Sequence, residues 1–207
     1  RGNNQGSMAA AFGWYLKYTL KQNISWCGKR VTVFEGKLPM PEFYRRVIEQ
    51  EYRVYMNYCT HSYSAAWWDW DRWEYEIDMM ALSGINMPLA ITGTESVWYH
   101  TLLDLGFSDA EARDFLAGPG FLAWQWMTNL EHHGGPLPKS WIDEHEALGK
   151  KIIARELEFG MHPIQQGYSG FVPNRMKEKY PEGKFLVKKT WNNIGHTTEI
   201  DPLDPLF

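Results

Sequence analysis

The chain has 207 residues, 44% of them hydrophobic, and a formal charge of −4, enough apolar content for a sizeable core and no basic excess. Without a Lys/Arg block or an aromatic-interleaved basic stripe, a nucleic-acid partner has no electrostatic support, and no run of about 18 apolar residues predicts a membrane span. Two cysteines, Cys27 and Cys59, are too few for a disulfide scaffold and match no zinc spacing. No metal and no cofactor are expected.

Residues 7–21, SMAAAFGWYLKYTLK, read as a helix capped by Ser7, with Ala9, Phe12, Leu16 and Leu20 along one stripe. Two β-prone runs follow, Ile24 to Cys27 and Val31 to Phe34, separated by the turn GKR. Pro39 and Pro41 mark a connection to the next unit. From Tyr52 the pattern alternates. YRVYMNYC predicts a strand, and DRWEYEIDMMALSG a helix with apolar positions Trp73, Ile77, Met80 and Ala81 that ends at Gly84. INMPLAI is nearly all apolar, the signature of a strand buried on both faces of a parallel sheet. SVWYHTLLDLG predicts a helix, and SDAEARDFLAGPG another, opened by a Ser108–Glu111 capping box. Phe121 to Trp126 is short and apolar, with its type open. Ser140 is the expected cap of a long helix from Trp141 to Phe159, with Gly160 after it, and MHPIQQG is a further strand candidate.

Strand, helix, strand, helix, strand argues for a parallel α/β architecture, either an open doubly wound sheet or a (β/α) barrel. No glycine-rich phosphate loop follows the first strand, which disfavours a nucleotide fold. A barrel takes roughly 250 residues. The span after Pro41 holds fewer than half of its units, and the start at Arg1 and the end at DPLDPLF read as a piece of a longer protein.

The acids Asp69, Asp71, Glu74, Glu76 and Asp78 spread round a helix and interleave with Arg72, which reads as a solvated helix start. Glu76 stands apart, one turn from Arg72, where a buried pair could brace the first loop. Cys59 and His61, two apart on a strand, would share a face, yet no orienting acid accompanies them, which favours a pocket-lining role over a thiol nucleophile. His132 and His133 are adjacent, diverge, and lack metal spacing. Glu95 follows the strand INMPLAITG, at the end where barrel carboxylates act or bind; helix capping is the competing role. Trp124 and Trp126 with Asn129, and Trp191 with Asn192 and His196, are aromatic-plus-amide groupings suited to a sugar.

The stretches NYCTHSYSAAWWDWDRWEYEIDMMALSGINMPLA, GPGFLAWQWMTNL with GPLPKSW, and FGMHPIQQGYSGFVP resemble the α-N-acetylglucosaminidases of glycoside hydrolase family 89. The resemblance runs from RGNNQG to DPLDP. It implies an α/β chain in which residues 1–40 end a small N-terminal α/β domain and residues 41–207 form the first part of a (β/α)8 TIM-type barrel, incomplete in this chain. It further implies a retaining exo-hydrolase of terminal α-linked N-acetylglucosamine, on glycans such as heparan sulfate or mucin-type chains, with an acid/base and a nucleophile carboxylate. Neither carboxylate motif occurs before Phe207, so no catalytic residue is assigned here. By motif the substrate-binding set is Asn57, Cys59, Tyr63, Trp124 and Trp191, joined by Glu95, Asn129 and His196. The implied partners are a carbohydrate and the remainder of the polypeptide, in an extracytoplasmic setting. His61, Met79 and IQQGYSG depart from the family's usual residues, which bears on linkage and aglycone preference. The alternatives are a non-catalytic carbohydrate-binding or pseudo-enzyme relative, and a barrel glycosidase of another sugar specificity.

Overall fold

The structure, a computed structural model, describes residues 1–25, 28–30, 35–189, 194 and 196–207. In chain order these form α1 (Gln5–Trp14) with a π-helical continuation (Tyr15–Thr19), β1 (Asn23–Ser25), β2 (Gly28–Arg30), β3 (Val54–Tyr55), α2 (Tyr58–Tyr63), α3 (Trp70–Leu82) and β4 (Met87–Pro88). Then come α4 (Thr94–Asp104), α5 (Asp109–Phe115), a 3-10 turn (Pro119–Phe121), α6 (Leu122–Trp126), α7 (Lys139–Glu158), β5 (Phe171–Val172), α8 (Met176–Lys179), β6 (Phe185–Lys188) and β7 (Thr197–Ile200). Two compact units result: Arg1–Met56 with Trp68–Ala90 and Lys151–Ile164, and Asn57–Trp67 with Ile91–Lys150 and Gln165–Phe207.

In the first unit, β3 and β4 pair in parallel, Val54 opposite Met87 and Tyr55 opposite Pro88, and Leu89 bridges Ile164 in parallel on the next segment. With α3 between β3 and β4 this is the expected βαβ crossover. Asp69 opens α3 by accepting the Arg72 N–H at 3.0 Å. Its buried face is Trp73, Ile77, Met80 and Ala81, as the spacing predicts, and Glu76 joins them. Glu76 is fully buried, paired with Arg72 at 2.8 Å, and accepts the Tyr55 hydroxyl at 3.2 Å. The pair ties α3 to β3, and burial followed by the Glu76 charge pushes the Tyr55 phenol up.

Several boundaries differ from expectation. The first helix is capped by Asn4, which accepts the Ser7 N–H at 2.8 Å; Ser7 is the donor and not the cap. Gly28–Arg30 is a strand antiparallel to β1, not a turn. Cys27 and Val31–Phe34 lie outside the described residues. The strand expected over Tyr52–Cys59 is reduced to Val54–Tyr55, because Met56 turns at φ 68° and Asn57 then caps α2. MHPIQQG contributes only the bridge at Ile164. The long helix starts at Lys139, with Ile142 N–H donating to the Pro138 carbonyl, so Ser140 is inside it.

In the second unit the Ser108–Glu111 capping box opens α5 as predicted. The open question at Phe121–Trp126 resolves into the end of the 3-10 turn and α6. The core is aromatic: Trp98 stacks on Trp126 (5.5 Å, 14°) and meets Phe115, which meets Phe171. An antiparallel sheet of order β5-β7-β6 carries Phe171 and Val172, and Thr197, Thr198 and Ile200 are buried on β7. Among the described residues no helix is long and apolar enough to cross a membrane.

Candidate functional site

The second unit gathers most of the residues singled out from the sequence, and α2 is where they start. Asn57 caps it: its Oδ1 accepts the Thr60 N–H and the Thr60 hydroxyl, both at 3.1 Å. On this helix Cys59 and Tyr63 lie one turn apart on one side, whereas Cys59 and His61 diverge by about 200°. The shared face that a strand would give Cys59 and His61 therefore does not exist. Cys59 is a free, half-buried thiol.

A buried bond joins α2 to α6. The Ser62 hydroxyl accepts the Ala123 N–H at 2.9 Å, and the next residues on each helix, Tyr63 and Trp124, meet edge to face at 5.0 Å and 86°. Tyr63 is 69% exposed and Trp124 half-buried. Gln125, fully buried, fixes α6 from behind: its Oε1 accepts the Ala117 N–H and its Nε2 donates to the Phe115 carbonyl, both at 2.6 Å. Gln166 donates to the Trp126 carbonyl at 2.6 Å. Trp124 thus stands on a short helix whose neighbouring residues are all pinned, a preorganised aromatic wall.

The other expected residues are placed differently. Asn129 follows α6, donating its backbone N–H to the Trp124 carbonyl at 3.1 Å, with its side chain half-buried. His196 is exposed just before β7, and Trp191 and Asn192 lie outside the described residues. His132 bonds to Glu131 at 3.1 Å and to the Asp114 carbonyl at 2.9 Å; the Glu131 bond leads in raising its pKa to about 9, which holds it protonated at neutral pH. No group of three metal-ligating side chains occurs among the described residues.

Glu95 lies on the first turn of α4 and is only 2% exposed. Its Oε1 accepts the Trp141 indole N–H at 3.2 Å. Burial raises its pKa to about 7 against the lowering effect of its hydrogen bonds. Trp141 stacks face to face on His145 (3.8 Å, 14°), whose Nδ1 donates to the Trp141 carbonyl at 3.1 Å. Trp67, 71% exposed, meets Trp141 edge to face at 5.1 Å and 81°. The loop before α4 runs close against the backbone of α7. A Cβ on Gly93, at φ 88°, would lie 2.6 Å from the His145 carbonyl, and one on Gly149 2.3 Å from the Thr92 carbonyl. A cavity of about 30 Å³ remains, lined among others by Ser62, Thr92, Glu95, Ala123, Trp141 and His145. That is room on the scale of a water molecule, far below what a sugar ring needs. Ser62, Trp67, Gln125, Trp141 and His145 were not singled out from the sequence. Only the Trp141–His145 pair left a trace there, as two aromatics one helical turn apart.

Residues 53–207 match the family model of the α-N-acetylglucosaminidase (NAGLU) TIM-barrel domain. The chain belongs to this family. It is 35% identical to human α-N-acetylglucosaminidase over all of its own length and 28% of that protein's. It is also similar to the family 89 glycoside hydrolase of Clostridium perfringens. In the complex with PUGNAc the TM-score is 0.83 at 35% identity, covering 96% of this chain and 23% of that one. In a variant with two Glu→Gln substitutions, complexed with its substrate GlcNAc-α-1,4-galactose, the TM-score is 0.81 at 36% identity, covering 96% and 22%. The chain therefore spans about a quarter of the length of these relatives. The match to the NAGLU domain opens one residue before β3, and it takes in α2, α6 and the Tyr63–Trp124 pair.

Proposed function

We propose that this chain supplies one wall of the sugar pocket of a retaining exo-α-N-acetylglucosaminidase, which removes terminal non-reducing α-linked N-acetylglucosamine from glycans such as heparan sulfate or mucin-type chains. The observation that carries the reading is the exposed Tyr63–Trp124 pair, fixed by the Ser62–Ala123 bond, on the same unit as Cys59 and in a chain of this family. Aromatic faces suit the C–H face of a pyranose, and a phenol, a thiol and an amide beside them suit its hydroxyls. The parallel order β3, β4 and Ile164 supports residues 41–207 as the opening of a (β/α)8 barrel, and residues 1–40 are read as the end of a small preceding domain. The remaining strands, and both catalytic carboxylates, belong in this reading to polypeptide outside these 207 residues. There, one carboxyl protonates the leaving oxygen while the other attacks the anomeric carbon, and water then releases the sugar with retention.

The test is turnover. A polypeptide carrying this chain at the length of its relatives should release p-nitrophenol from p-nitrophenyl α-N-acetylglucosaminide. Tyr63→Ala and Trp124→Ala should each lower kcat/KM about tenfold or more, which is what the loss of roughly 1.4 kcal/mol of transition-state binding gives. A correctly folded but inactive polypeptide overturns the reading.

A further inference from the structure

The exposed Trp67 differs from an ordinary surface aromatic in how firmly it is held. Its edge-to-face partner Trp141 is fixed twice, by the indole N–H donated to buried Glu95 and by stacking on His145. Single exposed apolar side chains are normal and need no explanation. A buried carboxyl placed to orient an indole that in turn orients an exposed one is a different matter, because burying that carboxyl costs free energy that packing alone does not require. The cavity beside Glu95, at about 30 Å³, has room on the scale of a water molecule, and the exposed end of the brace is Trp67.

Position supplies the second argument. Trp67 follows Tyr63 by four residues, so their Cα atoms are within about 14 Å even at full extension. The second unit thus presents two aromatic pairs, Tyr63–Trp124 and Trp67–Trp141, within the reach of a short oligosaccharide.

We infer that Trp67 is a second sugar-contacting aromatic, which takes the sugar linked to the terminal N-acetylglucosamine, and that Glu95, Trp141 and His145 are positioning residues for it. This rests on the glycosidase reading above. Glu95 then serves the substrate through Trp141 and not by touching the sugar.

The experiment compares two substrates in the polypeptide at the length of its relatives: methyl α-N-acetylglucosaminide, which has no second sugar, and GlcNAc-α-1,4-galactose. The readout is the ratio of kcat/KM, disaccharide over methyl glycoside. Trp67→Ala should lower this ratio five- to tenfold through KM, and Trp67→Phe should recover part of it. Glu95→Ala should reproduce the fall, while Glu95→Gln, which keeps an oxygen acceptor for the Trp141 indole, should restore most of the preference. An equal effect of Trp67→Ala on both substrates, or none on either, overturns the inference and leaves the glycosidase reading standing. Wild type that turns over neither substrate overturns the glycosidase reading and the inference with it.

Discussion

Glu156 offers a test of how the first unit is built. It lies on the last turns of α7, is 1% exposed, and neither carboxyl oxygen has a hydrogen-bond partner among the described residues. Burial raises its pKa from 4.5 to about 8. Below pH 4.5 the group is neutral whether the chain is folded or not, and the folded state carries no penalty. Between pH 4.5 and 8 the unfolded chain releases a proton that the folded one keeps, so stability falls as pH rises and levels off above 8. At about 1.4 kcal/mol per pH unit, the loss by pH 7 is roughly 3 kcal/mol. Glu156→Gln removes the titration while keeping the shape. Hydrogen exchange at the α7 amides beyond Lys151 isolates the effect, because wild type and variant compared at one pH share the same intrinsic exchange rate. The protection of wild type relative to the variant should fall about tenfold or more between pH 5 and pH 7. A ratio that does not change with pH would refute the reasoning.

Three further outcomes follow from the second unit. Ser62→Ala strands the buried Ala123 N–H and should lower the stability of this unit by about 1–3 kcal/mol, read from urea unfolding, while loosening the Tyr63–Trp124 pair. Gly149→Ala should destabilise, despite a helix-propensity gain of about 1 kcal/mol, because its Cβ would stand 2.3 Å from the Thr92 carbonyl; a raised melting temperature would show the approach to be looser than it looks. Asn57→Asp keeps an equally good cap but removes the amide donors, so the melting temperature should hold while KM for the glycoside rises severalfold; an unchanged KM would make Asn57 a cap and nothing more.

What could be read from the sequence was what local chemistry decides. The apolar face of α3, the Ser108–Glu111 box and the singular position of Glu76 are all set within one or two helical turns, where spacing and capping rules act. The same rules conflict over Tyr52–Cys59. Alternating aromatics outweighed the cap written in Asn57 and Thr60, and a two-residue strand leaves almost no periodicity to find. The brace around Trp67 and the bond beneath Tyr63 were illegible for another reason. Ser62 and Ala123 are 61 residues apart, and Glu95 and Trp141 are 46 apart, so nothing local records either contact. Family resemblance named the candidate wall residues, but not those that hold them in place.

The caps also constrain the chemistry of the wall. Both acceptor positions of the Asn57 amide oxygen are filled by Thr60, so toward a ligand this side chain can only donate, through Nδ2. The thiol of Cys59 is a weak donor, and the Tyr63 hydroxyl can donate or accept. A wall made this way is rich in donors and poor in charge. It matches the part of N-acetylglucosamine that offers acceptors, the acetamido carbonyl and the ring and hydroxyl oxygens, and gives no purchase to a cationic ligand. The polarity of the face that α2 offers is thus set by the helix cap beneath it.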